Sequence, residues 1–161
     1  MKTLETERLK LRKWQKIDAS DMFEFCKSSN VERVDCRIHE NIDESLECIR
    51  LYIKSQDVWA IILKENSKPL GWHRFYDINR HYQYKKVEFV LSEDYQNKGY
   101  ATEAVKRVLE YALGKHDLII VKIYYYQYNI KSKSFIEKYN FTYDGTLHKT
   151  AKIYLTVCDI L

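Results

Sequence analysis

Tyr95-Gln96-Asn97-Lys98-Gly99-Tyr100-Ala101-Thr102-Glu103-Ala104 decides the fold, because it joins the two strongest patterns in the chain. Ahead of it lies the run Val87–Leu91, apolar except for Glu88, which reads as a strand. Behind it Ala101, Ala104, Val105, Val108, Leu109 and Ala112 recur at three- and four-residue steps, with Lys106, Arg107 and Glu110 on the other side. That spacing predicts a helix from Gly99 to Leu113, with Gly114 as its stop. A helix start presents unpaired N–H groups and a positive dipole end, a natural seat for an anion. Gly99 lets the backbone approach a phosphate with no Cβ in the way, Ala101 keeps the next position small, and Lys98 adds positive charge. A strand-to-helix turn that needs glycine for its own geometry accounts for Gly99 equally well.

Working outward, Leu9 and Leu11 alternate with Arg8, Lys10 and Arg12, as in a half-buried first strand. Asp18 is predicted to cap a helix over 19–27, with Asp21 in a capping-box position. A second helix over 43–55 puts Leu46, Ile49 and Ile53 on one side. Val58–Leu63 and Leu70–Tyr76 read as hairpin strands around the turn Glu65-Asn66-Ser67-Lys68. After the long helix come a strand over 118–126, a helix over 129–139, and closing strands near 141–146 and 152–158. The sum is a mixed α/β fold: a mostly antiparallel twisted sheet of about seven strands with helices on both faces. Residues 1–161 read as one domain.

The composition, 45% hydrophobic and 31% charged, is that of a globular chain and argues against disorder. A net charge of +4, evenly spread, is too small to indicate a nucleic-acid partner. No apolar run approaches the roughly 20 residues needed to cross a bilayer, so no membrane role is expected. Cysteines 26, 36, 48 and 158 form no C-x-x-C pair and no metal-ligand spacing. With no secretory signal at the N-terminus, they read as reduced thiols of a cytoplasmic protein without a metal.

The quoted stretch closely resembles the Q/R-x-x-G-x-G/A signature of the GNAT N-acetyltransferases, in the form used by their RimJ/RimL-like branch. Thr6-Glu7-Arg8-Leu9 with Leu11-Arg12 and Asp18-Ala19 is similar to the opening of that branch, and Trp59 to Gly71 to its central hairpin. Asn129 and Ser132, followed by Glu137-Lys138-Tyr139-Asn140-Phe141, resemble a further block. Asn140 stands where the family usually has glycine, a replacement a left-handed helix stop tolerates.

The resemblance implies a GNAT-like fold whose splayed middle strands hold acetyl-CoA as cosubstrate. Gln96, Asn97, Lys98, Gly99, Tyr100, Ala101 and Thr102 would hold the pyrophosphate. Val90 and Leu91 would offer backbone groups to the pantetheine arm, and Asn129 would sit near it or simply cap its helix. The implied reaction transfers an acetyl group to a primary amine, either a protein N-terminus or a small molecule, with the chain as monomer or homodimer.

That reaction needs a neutral amine, a polarised carbonyl and a protonated or hydrogen-bonded leaving thiolate. Where many family members have a tyrosine acid, this chain has Ile136. Ser132 matches the serine of the RimL-like branch, and Tyr139 is a substitute candidate. Glu88 is the carboxylate inside the strand leading to the turn, and so a candidate base, although a strand-edge glutamate facing solvent is the commoner reading of such a residue. Lys86 occupies the family's usual glutamate position, and His73 is a further candidate. The region with Glu32, Arg33, Asp35, Arg37, Glu40, Asp43, Glu44, Glu47 and Arg50 shapes the acceptor side in the family; its acidic bias suits a cationic amine or a solvated helix face. A non-catalytic acyl-CoA-binding or sensing module on the same fold is the competing reading.

Overall fold

The computed structural model describes residues 1–27, 37–77, 84–115, 120–126, 129–139, 141–147 and 153–159. Asn140 and the charged residues Glu32, Arg33 and Asp35 lie outside these. The chain forms two compact units, one of residues 1–74 with 89–111 and the other of residues 75–88 with 112–161.

In the first unit, strands β1 (Leu4–Glu5), β2 (Leu9–Lys13), β3 (Val58–Leu63) and the start of β4 (Pro69–Asp77) run antiparallel in sequence order. Helices α1 (Ala19–Cys26) and α2 (Ile42–Ser55) pack on one face. Met22, Phe25 and Ile49 meet Val58, Ala60 and Ile62 of β3 there, together with Trp72 and Val90. Alternate β3 residues point the other way, where Trp59 makes edge-to-face contacts with His73 and with Tyr111 of α3 (Tyr100–Lys115). β3 is therefore buried along its whole length, and helices cover both faces.

In the second unit, the beginning of β5 (Tyr84–Leu91) pairs parallel with β6 (Ile120–Tyr126), through Tyr84↔Ile120 to Val87↔Ile123. β6 continues antiparallel to β8 (Ile153–Asp159), and β8 to β7 (Thr142–Leu147). Among the described residues, four pairs join β5 to β6, although β6 runs on to Tyr126. Helix α4 (Ile130–Glu137) contacts β6.

The architecture is the expected mixed α/β sheet, with the two-residue β1 as an additional strand. Two local expectations are corrected. Asp18 stands at the cap of α1 but its side chain makes no cap bond; both its oxygens accept from Arg12, at 2.7 and 2.8 Å, and Oδ2 also accepts from the Gln15 amide at 2.8 Å. A bidentate guanidinium outcompetes a single amide for a buried carboxylate. Gly114 does not stop α3, which runs through it to Lys115; a glycine inside a helix costs only about 1 kcal/mol against alanine, which the rest of a 16-residue helix outweighs.

Candidate active site

β5 ends at Leu91, and a single 3-10 turn, Glu93–Tyr95, redirects the chain. Gln96 ties the connection back to the strand, its side-chain amide donating to the Leu91 carbonyl at 3.1 Å. Asn97 (φ 61°) and Gly99 (φ 81°) are left-handed, with Lys98 of the opposite hand between them. Such alternation turns successive N–H groups towards one concave side. The Gln96 amide is used by the Glu93 carbonyl, and the first helical bond runs from the Glu103 amide to the Gly99 carbonyl. The amides of Asn97 through Thr102 have no protein acceptor among the described residues. Asn97, Lys98, Gly99 and Thr102 are exposed, and a Cβ on Gly99 would meet only Arg8 Nη2, at 3.3 Å. An open, donor-rich concavity at the head of a 16-residue helix fits a polyanion.

Arg8, a residue that site reasoning from sequence passed over, braces this turn. Its Nη1 donates to the Lys98 carbonyl at 3.0 Å, its Nε to Glu103 Oε2 at 2.7 Å, and its backbone amide to Glu103 Oε1 at 2.9 Å. The guanidinium lies 4.5 Å from the centre of the Tyr100 ring. Thr6 Oγ1 also donates to Glu103. Burial pushes the Glu103 carboxyl up, but the bonds from Thr6 and Arg8 outweigh it and hold the group below its ordinary value. The available signal was that Thr6, Arg8 and Glu103 all sit in the runs that resemble family motifs.

The approach to the turn is close-packed. A Cβ on Gly71 would lie 2.0 Å from the Val90 carbonyl, and the Ser92 amide donates to Leu70 at 2.8 Å. Val90 and Leu91 bury their side chains, and the Leu91 carbonyl already accepts from Gln96. His73 is fully buried against Trp59. Burial lowers its pKa to about 3, so it is neutral, and neither ring nitrogen has a partner among the described residues.

The second unit holds the other candidates. Glu88 accepts from the Tyr76 hydroxyl at 2.9 Å and pairs with Lys86 Nζ at 2.5 Å. The Lys86 ammonium also lies 4.6 Å from the Tyr124 ring and 5.8 Å from the Tyr76 ring. Burial pulls Lys86 down, but its bond to Glu88 and the Glu88 charge raise it overall. Burial and the Glu88 charge raise Tyr76. Lys86 is therefore a cation and Tyr76 a neutral phenol at ordinary pH. Lys86 and Glu88 are two apart on one strand, so they share a face, and that spacing was the legible clue.

Asn129 caps α4, its side chain accepting from the Ser132 amide at 3.0 Å. Ser132 is half-buried in the first turn. Ile136 is part of the core at 2% exposure. The Tyr139 ring packs on Phe135 at 4.9 Å between centroids, and its hydroxyl is buried without a partner among the described residues. No side-chain hydrogen bond joins Glu88, Ser132 and Tyr139 to one another among those residues. Among the described residues no three His, Cys, Asp or Glu side chains cluster as a metal site, and no helix is long and apolar enough to cross a membrane.

The family model for the acetyltransferase (GNAT) domain matches residues 8–142, and the chain belongs to that family. It is an acetyl-CoA-dependent N-acetyltransferase domain. It is 27% identical over 117 residues to the uncharacterized N-acetyltransferase YnaD of Bacillus subtilis (strain 168), a match covering 70% of this chain and 66% of that one. Its fold is that of the GNAT-family acetyltransferase from Bacillus anthracis, with TM-score 0.88 at 19% identity over 98% of each chain. It is similarly close to the Salmonella typhimurium acetyltransferase that modifies the N-terminal serine of 50S ribosomal subunit protein L7/L12, with TM-score 0.84 at 12% identity over 99% of each.

Proposed function

We propose that this chain is a RimJ/RimL-like N-acetyltransferase acting in the cytoplasm, with its donor seated on the Gln96–Thr102 turn. The observation that carries this reading is the row of amides from Asn97 to Thr102, without a protein acceptor among the described residues, around left-handed Gly99. Those donors suit a pyrophosphate, with Lys98 adding charge. The backbone of Val90 and Leu91, and Asn129 beyond its capping duty, are the candidate supports of the pantetheine arm.

The acceptor is a primary amine, of a protein N-terminus or a small molecule; the Salmonella relative's N-terminal serine substrate favours the former. The amine nitrogen attacks the thioester carbonyl, its proton passes to Glu88 directly or through water, and the C–S bond breaks. Ser132 is the first candidate to hydrogen-bond the departing thiolate, and Tyr139 the second. Lys86 stands beside Glu88 in this arrangement, as its ion-pair partner.

Free-thiol release from acetyl-CoA tests the activity, using peptides with N-terminal serine or alanine, polyamines and aminoglycosides as acceptors. Turnover on one class supports the reading and names the acceptor. Micromolar CoA binding with no turnover on any class favours the non-catalytic acyl-CoA-binding module, consistent with core Ile136 in place of a tyrosine.

A further inference from the structure

We propose that Arg8 is a positioning residue for the donor site, fixing the Lys98–Gly99 peptide so that the Gly99 amide points into the concavity. This rests on the reading that the turn binds the pyrophosphate of acetyl-CoA.

A trans peptide points its carbonyl and its N–H in opposite directions. The Lys98 carbonyl is held at 3.0 Å by Arg8 Nη1, so the Gly99 N–H on the other side of that peptide is turned away from Arg8. Gly99 is also where this arrangement is softest. Glycine takes either sign of φ with little preference, so rotating this one peptide by half a turn carries Gly99 from φ 81° to an equally allowed negative value. That rotation buries the amide where the carbonyl now sits and turns an oxygen towards the anion. No other hydrogen bond to the Lys98 carbonyl is found among the described residues.

Arg8 is suited to this task because it is itself fixed at three points. Glu103 takes Nε, its second oxygen takes the Arg8 backbone amide, and the Tyr100 ring supports the guanidinium plane. The brace spans both sides of the soft peptide, since Glu103 lies in the first turn of α3 and Lys98 just ahead of it. A planar fork with several donors can do this where a point charge cannot.

The test compares the intact protein with its Arg8→Ala and Arg8→Lys variants by calorimetric titration with CoA and with pantetheine, which lacks the pyrophosphate. Arg8→Ala should weaken CoA about tenfold, the loss expected of one charge-assisted hydrogen bond, and leave pantetheine unchanged. Arg8→Lys, which keeps the charge but not the fork, should restore less than half of that loss. The Gly99 amide resonance should move on adding CoA to the parent protein and lose most of that movement in Arg8→Ala. Unchanged CoA affinity in Arg8→Ala, or equal weakening of CoA and pantetheine, overturns the proposal. If Arg8→Ala does not unfold cooperatively, Arg8→Lys carries the same comparison. Gly99→Glu separates the two claims: if it binds CoA normally, the pyrophosphate assignment itself fails, whereas lost binding there with a silent Arg8→Ala sinks only the role of Arg8.

Discussion

Glu103 and Arg8 are joined by a 2.7 Å ion pair that crosses 95 positions of sequence. Because Thr6 and Arg8 hold the Glu103 carboxyl below its ordinary value of 4.5, its contribution to stability is fully present above that value. It disappears as pH falls through the lowered folded value. Arg8 is partly exposed, so Glu103→Gln should cost about 1 kcal/mol at neutral pH. Denaturant titrations of the two proteins should differ most above pH 4.5 and draw together as pH falls below it. A difference that widens as pH falls below 4.5 contradicts this.

Gly71→Ala should be among the most damaging small substitutions in the chain. The added Cβ would stand 2.0 Å from the Val90 carbonyl, and Gly71 has φ 155°. The end of β5 would have to move off β4, at a cost of about 3 kcal/mol or more. Thermal melting measures the loss, and CoA affinity should fall with it, because Val90 and Leu91 lead into the turn. A melting temperature within a degree or two of the parent would show that the strands yield easily.

His73 should make the fold acid-sensitive. Burial lowers its folded pKa to about 3 from the usual 6.5, so the unfolded chain binds the extra proton between those values. Stability from this group is complete above pH 6.5 and declines as pH falls, at up to about 1.4 kcal/mol per unit. His73→Leu should flatten that slope. It should also leave neutral stability equal or higher, since two buried nitrogens without partners among the described residues are removed. Identical pH profiles for the two proteins would refute the assignment.

If Glu88 is the base, Glu88→Gln should lower kcat about 100-fold or more with little change in KM for acetyl-CoA. Ser132→Ala and Tyr139→Phe, made singly, divide the acid role: whichever lowers kcat carries it. Unaltered rates in both leave thiolate stabilisation to another group. Initial-rate kinetics with the best acceptor from the amine panel measure all three.

The elements were largely legible because their patterns are local. β3 falls on Val58–Leu63 as read, and α2 begins one residue before its expected start. What stayed hidden was competition between distant groups. Asp18 has the spacing of a cap, but Arg12 from the neighbouring strand claims its carboxylate. Glu88 looks isolated on an apolar strand because Tyr76 comes from a different strand. Thr6, Arg8 and Glu103 each stood in a recognisable run, yet nothing in either run says that they touch. Periodicity reports which face a residue takes, and not which of two donors wins it.

The central claim is that acetyl-CoA is held by the amides at the head of α3. The most direct measurement is an amide proton–nitrogen correlation spectrum of the labelled protein titrated with CoA. The largest shifts should cluster at Asn97 through Thr102, with Gly99 among them, and Gly99→Glu should abolish them while the rest of the spectrum stays folded. Saturable CoA binding that leaves these resonances in place would contradict the account.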